Sequence, residues 1–242
     1  MRHSVGTMIL YIILTVPFMI LGYLTQRRVT STFQEWSQVR GQSGRTGAEV
    51  ARAILDRNGL NNVEVLHTPG SLSDHYDPRK RTVNLSDDVF ASNSVAAVAV
   101  AAHEVGHAIQ HSKAYAPLAI RSALFPVASF GSAAFMPLFL VGIVLMMASQ
   151  GPNPMAQSVI LVAIALFAFG VLFQLVTLPV EFDASRRAKG QLQELTLAPV
   201  GGQEGVGTSK VLSAAAMTYV AAALAAVAQL AYFVVQFLLP RD

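Results

Sequence analysis

The chain has 242 residues, 53% hydrophobic and only 13% charged, with a mean hydropathy of +0.48. Soluble domains carry about a quarter charged residues, so this composition excludes a disordered tail, a nucleic-acid arm and an ordinary soluble enzyme. A net charge of +3 is too small to argue for a nucleic-acid partner, and the absence of cysteine excludes disulfides, thiolate metal sites and a cysteine nucleophile.

Four apolar stretches are long enough to cross roughly 30 Å of hydrocarbon at about 20 residues each. The first, 5–24, is followed by Gln26, Arg27 and Arg28 and lacks a small-residue cleavage site, so it reads as an uncleaved anchor. Residues 27–40 place Val29, Phe33, Trp36 and Val39 at helical spacing. They read either as an amphipathic helix at the membrane interface with Trp36 at headgroup level, or as a helix packed on a polar domain.

Beyond the Gly41–Arg45 loop, Thr46 and Glu49 form a capping-box pattern, and Asn58-Gly59 a helix stop. Residues 63–67 read as a strand. Residues 72–76 and 82–86 flank Asp77-Pro78-Arg79-Lys80, a turn pattern that predicts a β-hairpin. Asp74 reads as a cap for a backbone group. Residues 82–86 are a candidate edge strand for pairing with an extended substrate. Ser92-Asn93-Ser94 then caps a long helix from Val95.

The second and third apolar stretches, 123–148 and 157–180, flank Gly151-Pro152-Asn153-Pro154, which predicts a helical hairpin. Residues 201–209, rich in Gly, read as a mobile loop before the fourth stretch, 214–239. None of the last three stretches holds Asp, Glu, Lys, Arg or His, which argues against transport along them. Eleven Lys and Arg fall in 25–122 and four in 181–213, against Arg2 and Arg241 on the other side. Arg27, Arg28, Lys113, Arg121, Arg186, Arg187 and Lys189 lie near membrane ends, so the polar mass is expected in the cytoplasm of a multi-pass plasma-membrane protein.

His103-Glu104-Val105-Gly106-His107 is an H-E-x-x-H sequence in the helix from Val95. At about 100° per residue, the two His and Glu104 share one face. Two neutral imidazoles one turn apart can hold Zn²⁺, and a carboxylate beside them can take a proton from a water. With six His and seven Glu, chance placement is roughly one in two hundred. Buried histidines satisfied by hydrogen bonds would leave Glu104 unexplained after eight consecutive Ala and Val residues. His111 shares the face but lies about 12 Å along a straight helix from His103, too far for the same ion.

Candidates for a third ligand are His67, Asp74, His75, Asp77, Glu181, Asp183 and Glu194. Glu181 follows the third apolar stretch, where the chain returns to the side of the bilayer that holds His103 and His107. His75 or Tyr76 is the candidate for stabilising an oxyanion, and Tyr219 a weaker one.

His103–His111 (HEVGHAIQH), Asp74-His75-Tyr76-Asp77-Pro78 and Pro179-Val180-Glu181-Phe182-Asp183-Ala184-Ser185 together resemble the YugP-like neutral zinc metallopeptidases of bacterial membranes. The resemblance runs over nearly the whole chain. More distantly, the layout is similar to the CAAX-prenyl-protease and heat-shock membrane protease group, which carries E-[FY]-x-A-D where this chain ends in Ser185. The resemblance implies that Glu181 completes a His103–His107–Glu181 zinc site, with Asp183 or Ser185 supporting an imidazole.

The expected fold is a mainly α membrane protein with about four transmembrane helices and a small cytoplasmic α+β, zincin-like unit. Its parts are an anchor at 1–26, a zinc-peptidase unit at 27–122, a membrane hairpin at 123–180, a cytoplasmic segment at 181–213 and a fourth membrane helix at 214–242. The expected activity is peptide hydrolysis with Zn²⁺ as cofactor, Glu104 as general base, and peptides or membrane proteins as substrates. An intramembrane protease and a non-catalytic metal-binding membrane protein are the alternatives.

Overall fold

The computed structural model describes residues 2–149, 151–199 and 201–237, with side chains from residue 9 onward except residue 10. The protein is mainly helical and divides into two compact units. The helices are α1 (Arg2–Ser37), α2 (Gly47–Arg57), α3 (Asp87–Phe90), α4 (Val95–Ser112), α5 (Ala116–Ala148), α6 (Pro154–Glu194) and α7 (Gln203–Phe237). The strands are β1 (Glu64–His67), β2 (His75–Asp77) and β3 (Thr82–Leu85).

The first unit gathers Met1–Tyr23, Ile120–Leu178 and Tyr219–Asp242. Asn153 caps α6 by accepting the Ala156 N–H at 3.0 Å, and Phe135 of α5 stacks on Phe167 of α6 at 4.9 Å, as the predicted helical hairpin requires. Phe135 also meets Phe233 of α7 at 5.4 Å, making an aromatic centre inside the unit. Phe130, Met147 and Met155 point outward, so the exterior is apolar as well. Among the described residues, α5, α6 and α7 are long and apolar enough to cross a membrane. The expected first span, 5–24, falls partly on side chains outside those described, and the fourth, 214–239, runs past the last described residue.

The second unit comprises Leu24–Ala119 and Pro179–Thr218. The Thr46 hydroxyl accepts the Glu49 N–H while Glu49 accepts the Thr46 N–H, closing the predicted capping box of α2. Val50, Ile54 and Leu55 of α2 are buried with the Ala- and Val-rich face of α4. Ser94 caps α4 through the Ala97 N–H.

Strand order is β1-β3-β2, with β1 parallel and β2 antiparallel to β3. Two expectations change here. The strand expected at 72–76 starts only at His75, because Leu72 has φ +54° and Asp74 turns inward to accept the N–H and hydroxyl of Ser86. Residues 82–85 form the middle strand, paired on both sides, so the free sheet edges belong to β1 and β2.

Three more corrections concern the helices. The anchor and residues 27–37 of the following segment are one continuous helix, α1, and of the two readings of that segment the packed one holds, with Trp36 only 6% exposed within the core of this unit. The predicted loop at 201–209 is largely helical, since α7 begins at Gln203. A Cβ on Gly207 would lie 2.2 Å from the Trp36 ring, so that glycine makes room for the indole. The helix of the third span does not stop at Val180 but continues through Pro179 to Glu194.

Candidate metal centre

All the groups of the candidate site belong to the second unit. Four residues of helix separate His103 from His107, so their rings stand one turn apart, 4.8 Å between centroids and nearly perpendicular. Glu181, on the part of α6 beyond Pro179, points an oxygen at both: Oε2 lies 3.2 Å from Nε2 of His103 and 3.6 Å from Nε2 of His107. The three potential ligand atoms all lie within 4.8 Å of one another, and the Glu181 side chain is 3% exposed. Two imidazoles and a carboxylate presenting ligand atoms to one point is a donor set that suits zinc.

Gly106 makes this approach possible. A Cβ there would sit 2.6 Å from the Ala184 carbonyl oxygen, so any side chain would force α4 away from the turn of α6 that carries Glu181.

The remaining polar groups fall into two sets. Around the imidazoles, the Ser185 hydroxyl lies 3.2 Å from Nδ1 of His103, and Gln110 Oε1 lies 3.0 Å from Nδ1 of His107. Asp183 does not touch an imidazole. It accepts hydrogen bonds from Gln110 and Arg187 and pairs with Arg186. The other candidates for a third ligand are engaged elsewhere. Asp74 holds Ser86, His67 pairs with Asp87, Glu194 pairs with Arg57, and Asp77 accepts the N–H groups of Arg79 and Lys80. His75 is exposed and turned to the Ser73 carbonyl, whereas the Tyr76 hydroxyl lies 2.8 Å from Nδ1 of His111. Gln110 lies within the HEVGHAIQH run, but the sequence assigns it no role. Its local signal is weak, because the next two positions of the helix, His111 and Ser112, are polar as well.

Glu104 is buried beside the two histidines. Burial pushes its carboxyl above the usual range, partly offset by His103 and His107, and a raised carboxyl is better suited to exchanging protons near neutral pH. For His107, burial disfavours the charged ring, but the hydrogen bond and charge of Glu181 outweigh it and hold the imidazole above its ordinary 6.5. In the metal-free protein this charge stabilises the fold fully below the unfolded value, and the contribution disappears as pH rises through the raised one. Zinc needs the neutral ring. Affinity for zinc is therefore expected to fall as pH drops through the raised value. Titrations at about pH 8 and about pH 6 check this, and equal affinity at both contradicts it.

The model of a family described as "Putative neutral zinc metallopeptidase" matches residues 11–238, so the chain belongs to that family. It is 46% identical over 233 residues to the "Putative membrane protease YugP" of Bacillus subtilis (strain 168), covering 96% of this chain and 99% of that protein. No solved structure gives a significant match.

Proposed function

We propose that this protein is a membrane-bound zinc metalloprotease that hydrolyses peptide bonds in peptides or membrane proteins, with His103, His107 and Glu181 as metal ligands. The observation that carries the reading is the convergence of those three side chains from two helices, 78 residues apart in sequence. The family membership and the name of the Bacillus relative support the same class of reaction.

Zinc held there would supply Lewis acidity, polarising a substrate carbonyl and making a water in its open position more acidic. Glu104 takes the proton as the water oxygen bonds to the carbonyl carbon. It then delivers that proton to the amide nitrogen as the C–N bond breaks, leaving a carboxylic acid and an amine, which then ionise to carboxylate and ammonium. Tyr76, with its hydroxyl on His111 one turn beyond His107, is the stronger candidate for a donor to the developing oxyanion; His75 is the weaker.

The proposed layout has four spans in the plasma membrane, with the parts at 27–122 and 181–213, and therefore the active site, on the cytoplasmic side. Its support is the clustering of Lys and Arg near one set of span ends. Reporter fusions at Gly202 are expected to read cytoplasmic and fusions at Asn153 external. The reverse pattern would move the site outside the cell and change the accessible substrates. For the activity itself, the direct test is zinc-dependent cleavage of unfolded protein by the purified chain, lost on chelation and restored by zinc.

A further inference from the structure

We propose that Gln110 is a positioning residue that selects the metal-binding tautomer of His107 and ties it to the turn of α6 carrying Glu181. The inference rests on the metal-site reading above and adds a role to a residue outside the H-E-x-x-H sequence.

Gln110 is completely buried, and a buried primary amide is costly unless its donors and acceptor are met. Its Nε2 donates to the Val180 carbonyl at 2.8 Å and to Asp183 Oδ2 at 2.9 Å. Both partners only accept: the first is a backbone carbonyl, and the second is a carboxylate held by Arg186 and Arg187. The NH₂ end of the amide must therefore face them. That choice turns Oε1 toward His107, 3.0 Å from Nδ1. An amide oxygen cannot donate, so Nδ1 must carry the hydrogen. A neutral imidazole with its hydrogen on Nδ1 has its lone pair on Nε2, the nitrogen that faces Glu181. Each assignment forces the next, from the two arginines to the nitrogen that a metal needs.

His103 has no such constraint. Its Nδ1 faces the Ser185 hydroxyl, which can donate or accept by rotating. The two ligands from α4 are thus held differently. Gln110 also spans the two helices, because Val180 and Asp183 flank Glu181 within two residues, so the same amide sets His107 and its distance to the third ligand.

The test uses the full chain in detergent. Nitrogen-15 NMR of histidine-labelled, zinc-loaded protein is expected to show His107 protonated at Nδ1 and ligated through Nε2, with the N–H slow to exchange. Ligation through Nδ1 overturns the proposal in the wild-type protein alone. Gln110→Met is expected to weaken zinc binding, measured by chelator competition, roughly 10–100-fold and to abolish that slow N–H. Ser185→Ala is expected to leave it in place. Affinity for Gln110→Met equal to wild type, or a slow N–H that survives in it, likewise overturns the proposal. Wild-type protein that binds no zinc would instead sink the metal-site reading itself, so the two failures are distinguishable.

Discussion

Glu104→Gln is expected to bind zinc as the wild type does and to lose peptide hydrolysis by about 10²–10⁴-fold. The substitution keeps the shape of the side chain and removes only its ability to take a proton. The position is buried beside His103 and His107, and burial favours the uncharged form, so an amide fits without repacking. Among the described residues the influences on the Glu104 carboxyl are burial and neighbouring charge, with no hydrogen bond among them. Zinc content and turnover of the purified variant give the answer together. Wild-type turnover with full zinc would remove Glu104 from the mechanism.

Glu181→Ala is expected to lower zinc content and hydrolysis together, which separates it from Glu104→Gln. Two imidazoles leave zinc one protein ligand short of the three usual in catalytic sites. The carboxylate also offsets the ion's charge at a site where both histidines are largely buried. Asp183→Ala is expected to cost less, roughly 10–100-fold, because its effect reaches the metal only through Gln110. Full zinc occupancy in Glu181→Ala, with loss in Asp183→Ala or Asp74→Ala, would hand the third position to another carboxylate.

Much of the second unit was legible because its signals are local. The Thr46–Glu49 box, the Ser94 cap and the Asp77-Pro78 turn each satisfy backbone groups within a few residues, so sequence neighbours suffice to place them. The convergence of Glu181 on the two histidines could be anticipated from the return of the third apolar stretch. What escaped were the features decided by distant packing. Gly-rich residues 203–209 are helical because Gly207 accommodates an indole from α1, and glycine's low helix propensity gave the opposite signal. Trp36 fits an interface or a core position equally well by sequence, and the buried cluster around it decides for the core. Gln110 was invisible because its three partners come from α4 and from α6, 70 and 73 residues further on in the latter case.

The 78 positions from His103 to Glu181 also bear on how the protein is made. At about 5–20 residues per second, a ribosome that has completed the first imidazole needs roughly four to sixteen seconds to add the third proposed ligand. All of α5 and much of α6 are synthesised in that interval. A nascent chain thus owns the proposed general base and two imidazoles while still lacking the carboxylate proposed to close the metal site. For the proposed protease, competence would then arrive only after α5 and the apolar part of α6 have been produced, sparing the insertion machinery from an activity that appears before the chain is in place.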